Sequence, residues 1–409
     1  MQIYLVGGAV RDQLLNYPVK EQDYVVVGTT PADMLAQGFR LVGKDFPVFL
    51  HPETQAEYAL ARTERKIGPG YTGFSCHAAP DVTLEDDLKR RDLTINAMAQ
   101  SSDGKITDPY NGLTDLKNKL LRHVSSAFVE DPVRILRVAR FAARYAHLGF
   151  TVATETMELM RAMVRAGEVN ALVPERVWQE FNRALGEQTP QAFINVLRTC
   201  GALAILFPEI DQLFGVPNPP KWHPEIDTGV HTLMVLAQAV QLNTDPCLRF
   251  AALAHDLGKG TTPAAFWPSH PDHEERGVIL IRELCRRYLA PRDYQELAIL
   301  TSRYHTHCHR VFELKHSTLL TTLEKLDAFR RPARFQLFLL ACEADARGRT
   351  GFEMQAYPQK EHMQLAFAAA QQVSIQPLLE RGLTDAALGN ALHQARIAAI
   401  SHILQTVSK

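Results

Sequence analysis

Leu5-Val6-Gly7-Gly8-Ala9-Val10-Arg11-Asp12 is the stretch that decides the fold of the first part of this chain. It reads as the end of an apolar strand, a Gly-Gly turn and the beginning of a helix, and a second, Val-rich strand follows from Asp23. Without Cβ atoms, Gly7 and Gly8 let backbone N–H groups come close to a phosphate, and the planar charge of Arg11 suits phosphate oxygens. The stretch therefore predicts a strand–turn–helix unit that binds phosphate.

A pair of carboxylates follows this turn. Glu21 and Asp23 are separated by one residue, so both side chains project from the same face of an extended strand. Two carboxylates beside a phosphate site can hold Mg²⁺ for an in-line displacement at phosphorus. A Gly-Gly pair alone is usually an ordinary turn, but Arg11 and the carboxylate pair favour phosphate chemistry. Together these residues predict nucleotidyl transfer.

The composition excludes some classes of protein. The net charge is −1 over 409 residues, so the molecule is no polycation and nucleic acid would have to bind to local basic patches. The six cysteines are scattered without a CxxC pair, which argues against a Cys-based zinc site and for free thiols in a reducing compartment. Since no leader or membrane-spanning run is visible, we expect a cytoplasmic enzyme.

The chain changes in character along its length. Residues 1–125 alternate short strands with helices, whereas helix follows helix from Glu130 onward. A proline-rich segment at 217–224 is the clearest linker. We therefore predict an α+β protein in four parts, namely 1–125, 126–216, 225–350 and 351–409.

The helix that follows Pro132 carries a stripe of arginine. Arg134, Arg137, Arg140 and Arg144 fall within about a third of its circumference, at about 100° per residue. A solvated basic face usually mixes Lys, Glu and Arg, so a stripe made only of Arg favours contacts with phosphates or with planar bases.

Asp131 and Arg134, one helical turn apart, can together read the edge of a base. Adenine and cytosine both present an exocyclic amino donor beside a ring-nitrogen acceptor. A carboxylate accepts from the amino group and a guanidinium donates to the ring nitrogen, whereas guanine and uracil mismatch both partners. The pair is therefore predicted to admit ATP and CTP and to reject GTP and UTP.

A second group of polar residues lies further along the chain. His255-Asp256 follows an apolar helix, and the other members are His231, His270, His273, His305 and Asp345. Adjacent His and Asp, with an upstream His and a distant Asp, resemble the metal site of the HD phosphohydrolases, whose ligands suit Ni²⁺, Mn²⁺, Zn²⁺ or Mg²⁺. The alternative is a set of ordinary histidines. That alternative is stronger for the run from His305 through His309, because alternate residues of a helix do not share a face.

Five motifs in this order make the chain resemble the CCA-adding enzymes, the tRNA nucleotidyltransferases of the class that also includes bacterial poly(A) polymerases. They are the Gly-Gly stretch, the acidic pair, Arg90-Arg91-Asp92-Leu93-Thr94-Ile95-Asn96-Ala97, Asp108-Pro109-Tyr110-Asn111-Gly112 and Glu130-Asp131-Pro132-Val133-Arg134. The likeness covers essentially the whole chain, including the appended HD domain of one bacterial, multifunctional subgroup. It implies a polymerase-β-like palm over 1–125, an all-α neck and body over 126–216, a helical HD domain over 225–350 and a helical tail.

The resemblance also implies roles for individual residues. For the transferase, nucleotide would be bound by Gly8, Arg11, Arg91, Asp131, Arg134, Arg137 and Arg140, and Mg²⁺ by the catalytic residues Glu21 and Asp23. A divalent cation such as Ni²⁺ would be bound by His231, His255 and Asp256, with His255 and Asp256 catalytic in phosphatase, 2′-nucleotidase and 2′,3′-cyclic phosphodiesterase reactions. The implied partners are tRNA, ATP and CTP, with no membrane, in a monomer or homodimer.

One residue departs from the family pattern, which is Asp-x-Asp. Glu21 keeps the charge but moves the carboxylate by one methylene, and a misplacement of about 1 Å can cost about a hundredfold in rate. We nevertheless expect an active transferase. A third carboxylate would complete the metal site, and Glu57 and Glu64 are both candidates.

Three rival hypotheses remain open at the level of sequence. A poly(A) polymerase of the same class would use ATP only and accept many RNAs. An HD phosphohydrolase with an impaired transferase site has only Glu21 in its favour. A tRNA-binding protein without activity is disfavoured by the retained Arg11, Asp23, Asp131 and Arg134.

Overall fold

Two units make up the protein in the computed structural model, which describes residues 1–19, 21–42, 48–66 and 74–407. The first unit spans Met1–Leu206 and the second extends from Phe207 onward. The strands are β1 (Gln2–Val6), β2 (Asp23–Val27), β3 (Arg40–Leu41), β4 (Val48–Leu50), β5 (Glu57–Leu60), β6 (Thr63–Lys66), β7 (Phe74–His77), β8 (Ala99–Ser101), β9 (Ile106–Thr107), β10 (Leu120–Leu121) and β11 (Thr151–Val152).

Helices occur in both units. Those of the first are α1 (Gly8–Leu14), α2 (Pro31–Ala36), α3 (Leu84–Lys89), α4 (Gly112–Lys117), α5 (Val133–Tyr145), α6 (Thr154–Arg165), α7 (Pro174–Leu185), α8 (Gln191–Cys200) and α9 (Ala202–Leu206). Those of the second are α10 (Pro208–Asp211), α11 (Thr228–Leu242), α12 (Pro246–Ala254), α13 (His273–Arg287), α14 (Arg292–His309), α15 (His316–Lys325), α16 (Pro332–Arg347), α17 (Pro358–Gln371), α18 (Gln376–Glu380) and α19 (Asp385–Val407).

A mixed sheet forms the frame of the first unit. In the described part of the chain it has seven strands in the order β3-β4-β5-β2-β1-β8-β9, and β2 and β5 are its parallel neighbours. The register places Val6, the last residue of β1, opposite Asp23. It also places Asp23 beside Glu57, the first residue of β5. The Gly-Gly turn, Asp23 and Glu57 therefore lie at the same end of the sheet.

The arginine-bearing helix α5 is amphipathic. Pro132 precedes it with φ −63°, a value that suits a helix start. Its apolar side chains, including Ile135, Leu136 and Val138, are fully buried, and it packs against α7 and α8. The apolar face thus fixes the helix, and the arginines are left to project from the other side.

In the second unit, four helices surround a buried polar centre. Helices α11, α12, α14 and α16 pack against one another, and α13 packs on α14. Among the described residues, no helix is long and apolar enough to cross a membrane. The predicted α+β class, with a nucleotidyltransferase-like head followed by helices, is confirmed by this architecture.

Candidate active sites

The first unit contains a cavity of about 830 Å³, which we call the arginine cavity. All nine residues predicted for the transferase line it, namely Gly8, Arg11, Glu21, Asp23, Arg91, Asp131, Arg134, Arg137 and Arg140. Other charged or polar lining residues are Asp12, Arg62, Arg90, Asp92, Asn96, Arg144, Arg176, Arg183 and Glu187. The excess of guanidinium over carboxylate groups makes the cavity suited to an anion such as a triphosphate.

The turn at the end of β1 needs glycine at Gly7 rather than at Gly8. Gly7 has φ +68° and ψ −123°, and a Cβ there would lie 2.8 Å from Nη1 of Arg91. Gly8 begins α1, where a Cβ would meet Nη2 of Arg11 at 3.4 Å. The sequence pattern singled out the pair, but only the backbone shows that the more demanding position is Gly7.

Arg11 is held firmly in the wall of the cavity. Its Nε donates to Asp12 at 2.9 Å, its Nη1 donates to Oδ1 of Asn96, and its guanidinium lies 5.0 Å from the ring centroid of Tyr145. Asp12 also accepts from Arg144 at 2.8 Å and from the Tyr145 hydroxyl at 2.6 Å. Burial raises the pKa of Tyr145, so the phenol keeps its proton and donates it to Asp12.

Two further cavity arginines are held by buried carboxylates. Asp92 accepts from Nε of Arg137 at 2.7 Å and from Asn96 at 2.9 Å. Burial alone would raise the pKa of Asp92, but the charge of Arg137 and the hydrogen bonds more than offset it, so the pKa lies well below its usual range. Glu180 on α7 accepts from Nε of Arg140 at 2.5 Å. These contacts orient the guanidinium groups before any ligand arrives.

The acidic pair lies at the end of the sheet, where its side chains are partly open to solvent. Burial by the surrounding wall raises the pKa of Asp23, Arg91 lowers it, and the neighbouring charge of Glu21 raises it. Glu57 stands beside Asp23 on the parallel strand, where directly opposed side chains share a face. Glu64 belongs to β6, and its side chain lies outside the described residues. Carboxylate oxygens are the donors that Mg²⁺ prefers, so this edge fits that ion.

The predicted base-reading residues both line the cavity, and the backbone N–H of Arg134 donates to the carbonyl oxygen of Asp131 at 3.0 Å. The carboxylate of Asp131 accepts from Arg176 at 3.1 and 2.7 Å and from the backbone N–H of Val133 at 3.1 Å. Arg134 donates to the carbonyl oxygens of Ala127 at 2.8 Å and Arg90 at 2.6 Å. Arg176, on α7, could not be identified from the sequence. It lies 45 residues from Asp131, and no pattern in the residues around it indicates this contact.

The second unit brings together six residues that we call the histidine centre: His231, His255, Asp256, His273, His305 and Asp345. Nε2 of His231 lies 3.1 Å from Oδ1 of Asp345, and Nε2 of His255 lies 3.6 Å from the same oxygen. Nδ1 of His255 is 2.8 Å from the carbonyl oxygen of Ala252, to which it can donate. Nε2 of His255 and Oδ1 of Asp256 are buried without a hydrogen-bond partner, as expected of ligands that face a cation.

His231, His255 and Asp345 form one triad of possible ligands, and Asp256, His273 and His305 form a second. Oδ1 of Asp256 lies 3.4 Å from Nε2 of His273 and 3.7 Å from Nε2 of His305, and these two nitrogens are 3.5 Å apart. Nδ1 of His273 lies 3.0 Å from the carbonyl oxygen of His270, and Nδ1 of His305 lies 2.9 Å from the carbonyl oxygen of Ser302. Ligands about 2.1 Å from a tetrahedral ion stand about 3.4 Å apart, so either triad could hold a cation.

Charge balance at the histidine centre calls for a positive group. Burial would lower the pKa of His255, but Asp256 and Asp345 raise it to about 10, so without a cation this imidazole takes up a proton. Lys259 adds an ammonium 2.7 Å from Oδ2 of Asp256 and 3.0 Å from Oδ1 of Asn218. Asp256 is thus set between a lysine and three histidines, a surrounding that suits phosphate as well as metal.

The histidine run on α14 corrects one sequence expectation. His305 joins the centre, and Nε2 of His309 lies 2.7 Å from Oδ2 of Asp345. His307 instead faces Thr322 at 3.3 Å. Alternate residues indeed diverge, but His305 and His309 are four apart and share the face toward Asp345. The structure therefore brings His305 and His309 to the histidine centre and leaves only His307 of this run apart from it.

Three family models match successive parts of the chain. The Poly A polymerase head domain matches residues 3–122, the probable RNA and SrmB-binding site of polymerase A matches 149–214, and the HD domain matches 228–327. Residues of the first two matches and of the segment between them line the arginine cavity. The HD match contains most residues of the histidine centre.

Curated relatives match over almost their full length. The Multifunctional CCA protein of Thioalkalivibrio sulfidiphilus is 64% identical over 403 residues, covering 98% of this chain and 98% of the relative. That of Nitrosococcus oceani is 61% identical over 406 residues, covering 99% of each. The solved Thermotoga maritima CCA-adding enzyme complexed with tRNA has the same fold, at a TM-score of 0.63 and 19% identity over 99% of this chain and 91% of that one. This chain is accordingly an enzyme that belongs to the family of multifunctional CCA proteins.

Proposed function

We propose that this enzyme adds and repairs the terminal CCA of tRNA, using CTP and ATP without a nucleic-acid template. The RNA 3′-hydroxyl attacks the α-phosphorus, a new phosphodiester bond forms, and pyrophosphate leaves. The observation that carries the proposal is the arginine cavity, in which the acidic edge (Glu21 and Asp23), the phosphate-binding arginines and the base-reading pair line one space. Nucleotide and RNA end can therefore meet there.

The triphosphate would be held by Gly8, Arg11, Arg91, Arg137 and Arg140. Carboxylate partners already orient the side chains of the last three at 3.1 Å or less. Guanidinium groups fixed in this way stabilise charge on the phosphates without reorganising.

Glu21 and Asp23 would hold Mg²⁺, and we propose Glu57 as the third carboxylate because of its register beside Asp23. Bound there, Mg²⁺ would neutralise phosphate charge and activate the hydroxyl. The additional methylene of Glu21 is tolerable because this side chain is exposed at the cavity rim and can adjust its rotamer.

Base selection would depend on hydrogen-bond polarity. Asp131 accepts from the exocyclic amino group of cytosine or adenine, and Arg134 donates to the adjacent ring nitrogen. Guanine and uracil place a carbonyl oxygen and an N–H at these points, so both protein groups would lose their partners.

The histidine centre would supply phosphatase, 2′-nucleotidase and 2′,3′-cyclic phosphodiesterase activities. A divalent cation such as Ni²⁺, held by His231, His255, Asp256 and Asp345, would polarise the phosphate and lower the pKa of water. Lys259 would neutralise charge on the phosphate. Such a site can clear damaged RNA ends in the cytoplasm, where we place the enzyme, before nucleotides are added.

Gly7→Ala should lower nucleotide addition at least tenfold and destabilise the protein by roughly 1–3 kcal/mol. The new Cβ would lie 2.8 Å from Arg91 in a backbone region that other residues avoid. Gly104→Ala is the matched control, because Gly104 also has positive φ (+85°) but no atom within 4 Å of the added Cβ. Thermal unfolding and addition assays on both variants separate backbone strain from displacement of Arg91. Equal activity of the two variants would contradict a role for this turn.

The test of the proposed activity is nucleotide selection on a defined RNA. Each labelled nucleotide is offered with Mg²⁺ to tRNA that lacks CCA and to an unrelated RNA. We expect incorporation of CTP into tRNA, then of ATP once two C residues are present. ATP addition to both RNAs would instead indicate a poly(A) polymerase, and no incorporation by folded protein would indicate a phosphohydrolase with an impaired transferase site.

A further inference from the structure

The carboxylate of Asp131 accepts hydrogen bonds from Arg176, a residue that has no role in the function proposed above. Arg176 is the third residue of α7, and its guanidinium group makes a bidentate, fork-like contact with Asp131. Nη1 donates to Oδ1 at 3.1 Å and Nη2 donates to Oδ2 at 2.7 Å. Both side chains line the arginine cavity. They are about a quarter exposed, 27% for Arg176 and 21% for Asp131, so the pair faces the cavity and is partly shielded from water.

The hydrogen bonds described for Asp131 leave one lone pair, on Oδ2, to accept a hydrogen bond from a ligand. Oδ1 accepts from Val133 N–H and from Arg176, whereas Oδ2 accepts from Arg176. A carboxylate oxygen has two lone pairs, so the hydrogen bonds described use both on Oδ1 and one on Oδ2. The remaining direction on Oδ2 matches a single N–H of an exocyclic amino group, and a carbonyl oxygen placed there would be repelled.

We infer that Arg176 is a positioning residue for base selection, which fixes the plane of the Asp131 carboxylate so that Oδ2 meets the amino group of cytosine or adenine. The inference rests on the proposed function, in which Asp131 reads the base. Rotation about the last bond of an Asp side chain is broad and roughly two-fold, so one contact from Val133 leaves the plane poorly defined. The second and third contacts, both from one rigid fork, define it.

A lysine cannot replace this fork. Its ammonium is a point charge on a flexible stem, whereas a guanidinium makes two parallel bonds to a carboxylate. Arg176→Lys therefore keeps the charge beside Asp131 and removes the orientation. It is the variant that separates positioning from electrostatics.

The experiment measures kcat/KM for CTP and UTP, and for ATP and GTP, on tRNA lacking the corresponding nucleotide. In Arg176→Ala and Arg176→Lys we expect the CTP/UTP and ATP/GTP ratios to fall about 10- to 100-fold. Each ratio is taken on one protein sample, so partial unfolding cancels. Arg183→Ala is the matched control, because Arg183 lies on the same helix and lines the same cavity but forms an ion pair with Glu180, at 3.8 Å. It should keep both ratios whatever its effect on overall rate.

A purely structural role for Arg176 gives a different result. All four nucleotides would then lose activity together at unchanged ratios, and the inference would be overturned. Asp131→Ala separates this failure from that of the proposed function. If Asp131→Ala keeps the ratios, base reading by Asp131 is wrong. If it loses them while both Arg176 variants keep them, only the role of Arg176 is wrong. In an Asp131→Ala background, Arg176→Ala should cause no further loss of selectivity.

Discussion

Asp23→Asn should lower nucleotide addition about a thousandfold, because it removes a charged ligand from the edge that we propose binds Mg²⁺. The substitution keeps the size of the side chain and its place at the start of β2, opposite Val6 and beside Glu57. The fold should therefore persist. Hydrolysis of 2′,3′-cyclic phosphates should be unchanged, because the histidine centre is built entirely from residues of the other unit.

The measurement is single-turnover addition of labelled CTP to tRNA lacking CCA, together with a hydrolysis assay on the same sample. Gln22→Ala is the control, since Gln22 lies between the two carboxylates and its exposed side chain contacts the Tyr24 hydroxyl instead. A variant Asp23→Asn that adds nucleotides at the wild-type rate would show that the acidic edge is not the metal site.

His255→Ala should abolish both cation binding at the histidine centre and hydrolysis, while nucleotide addition continues. His255 brings its buried Nε2 to within 3.1 Å of Oδ2 of Asp256 and 3.6 Å of Oδ1 of Asp345. Burial lowers the pKa of His255, but the charges of Asp256 and Asp345 outweigh burial and raise the pKa to about 10, so a cation has to displace a proton. Affinity for Ni²⁺ should therefore rise about tenfold per pH unit between pH 7 and pH 9.

Calorimetric titration with Ni²⁺ at several pH values measures this directly. His307→Ala removes a histidine of α14 that faces Thr322 rather than the centre, and it should bind Ni²⁺ as the wild type does. Equal binding by His255→Ala and wild type, or loss of nucleotide addition in a folded His255→Ala protein, would contradict the two-site account.

Local patterns were enough to predict the parts of the site that lie close together in sequence. The Gly-Gly turn after an apolar strand, the carboxylates two residues apart and the arginine stripe each follow from the period of a strand or helix. The structure places all of these residues around one cavity. The α+β order was also predictable, because strand and helix periods occupy different parts of the chain.

Contacts between distant elements could not be predicted in this way. The partnership of Arg176 with Asp131 depends on how α7 packs against the start of α5, and sequence spacing carries no information about that packing. Our proposal of Glu57 as the third carboxylate likewise depends on the parallel register of β2 and β5. At the histidine centre, His273, His305 and Asp345 come from three helices, so their convergence follows only from the helix packing.

The most direct test of the central claim is the length and sequence of the product formed on tRNA that lacks CCA, with CTP, ATP and Mg²⁺ present. The account predicts addition of C, C and A in that order followed by a stop, at rates within about tenfold of those of Glu21→Asp. Untemplated runs of A, or no product from folded protein unless Glu21 is replaced by Asp, would contradict it.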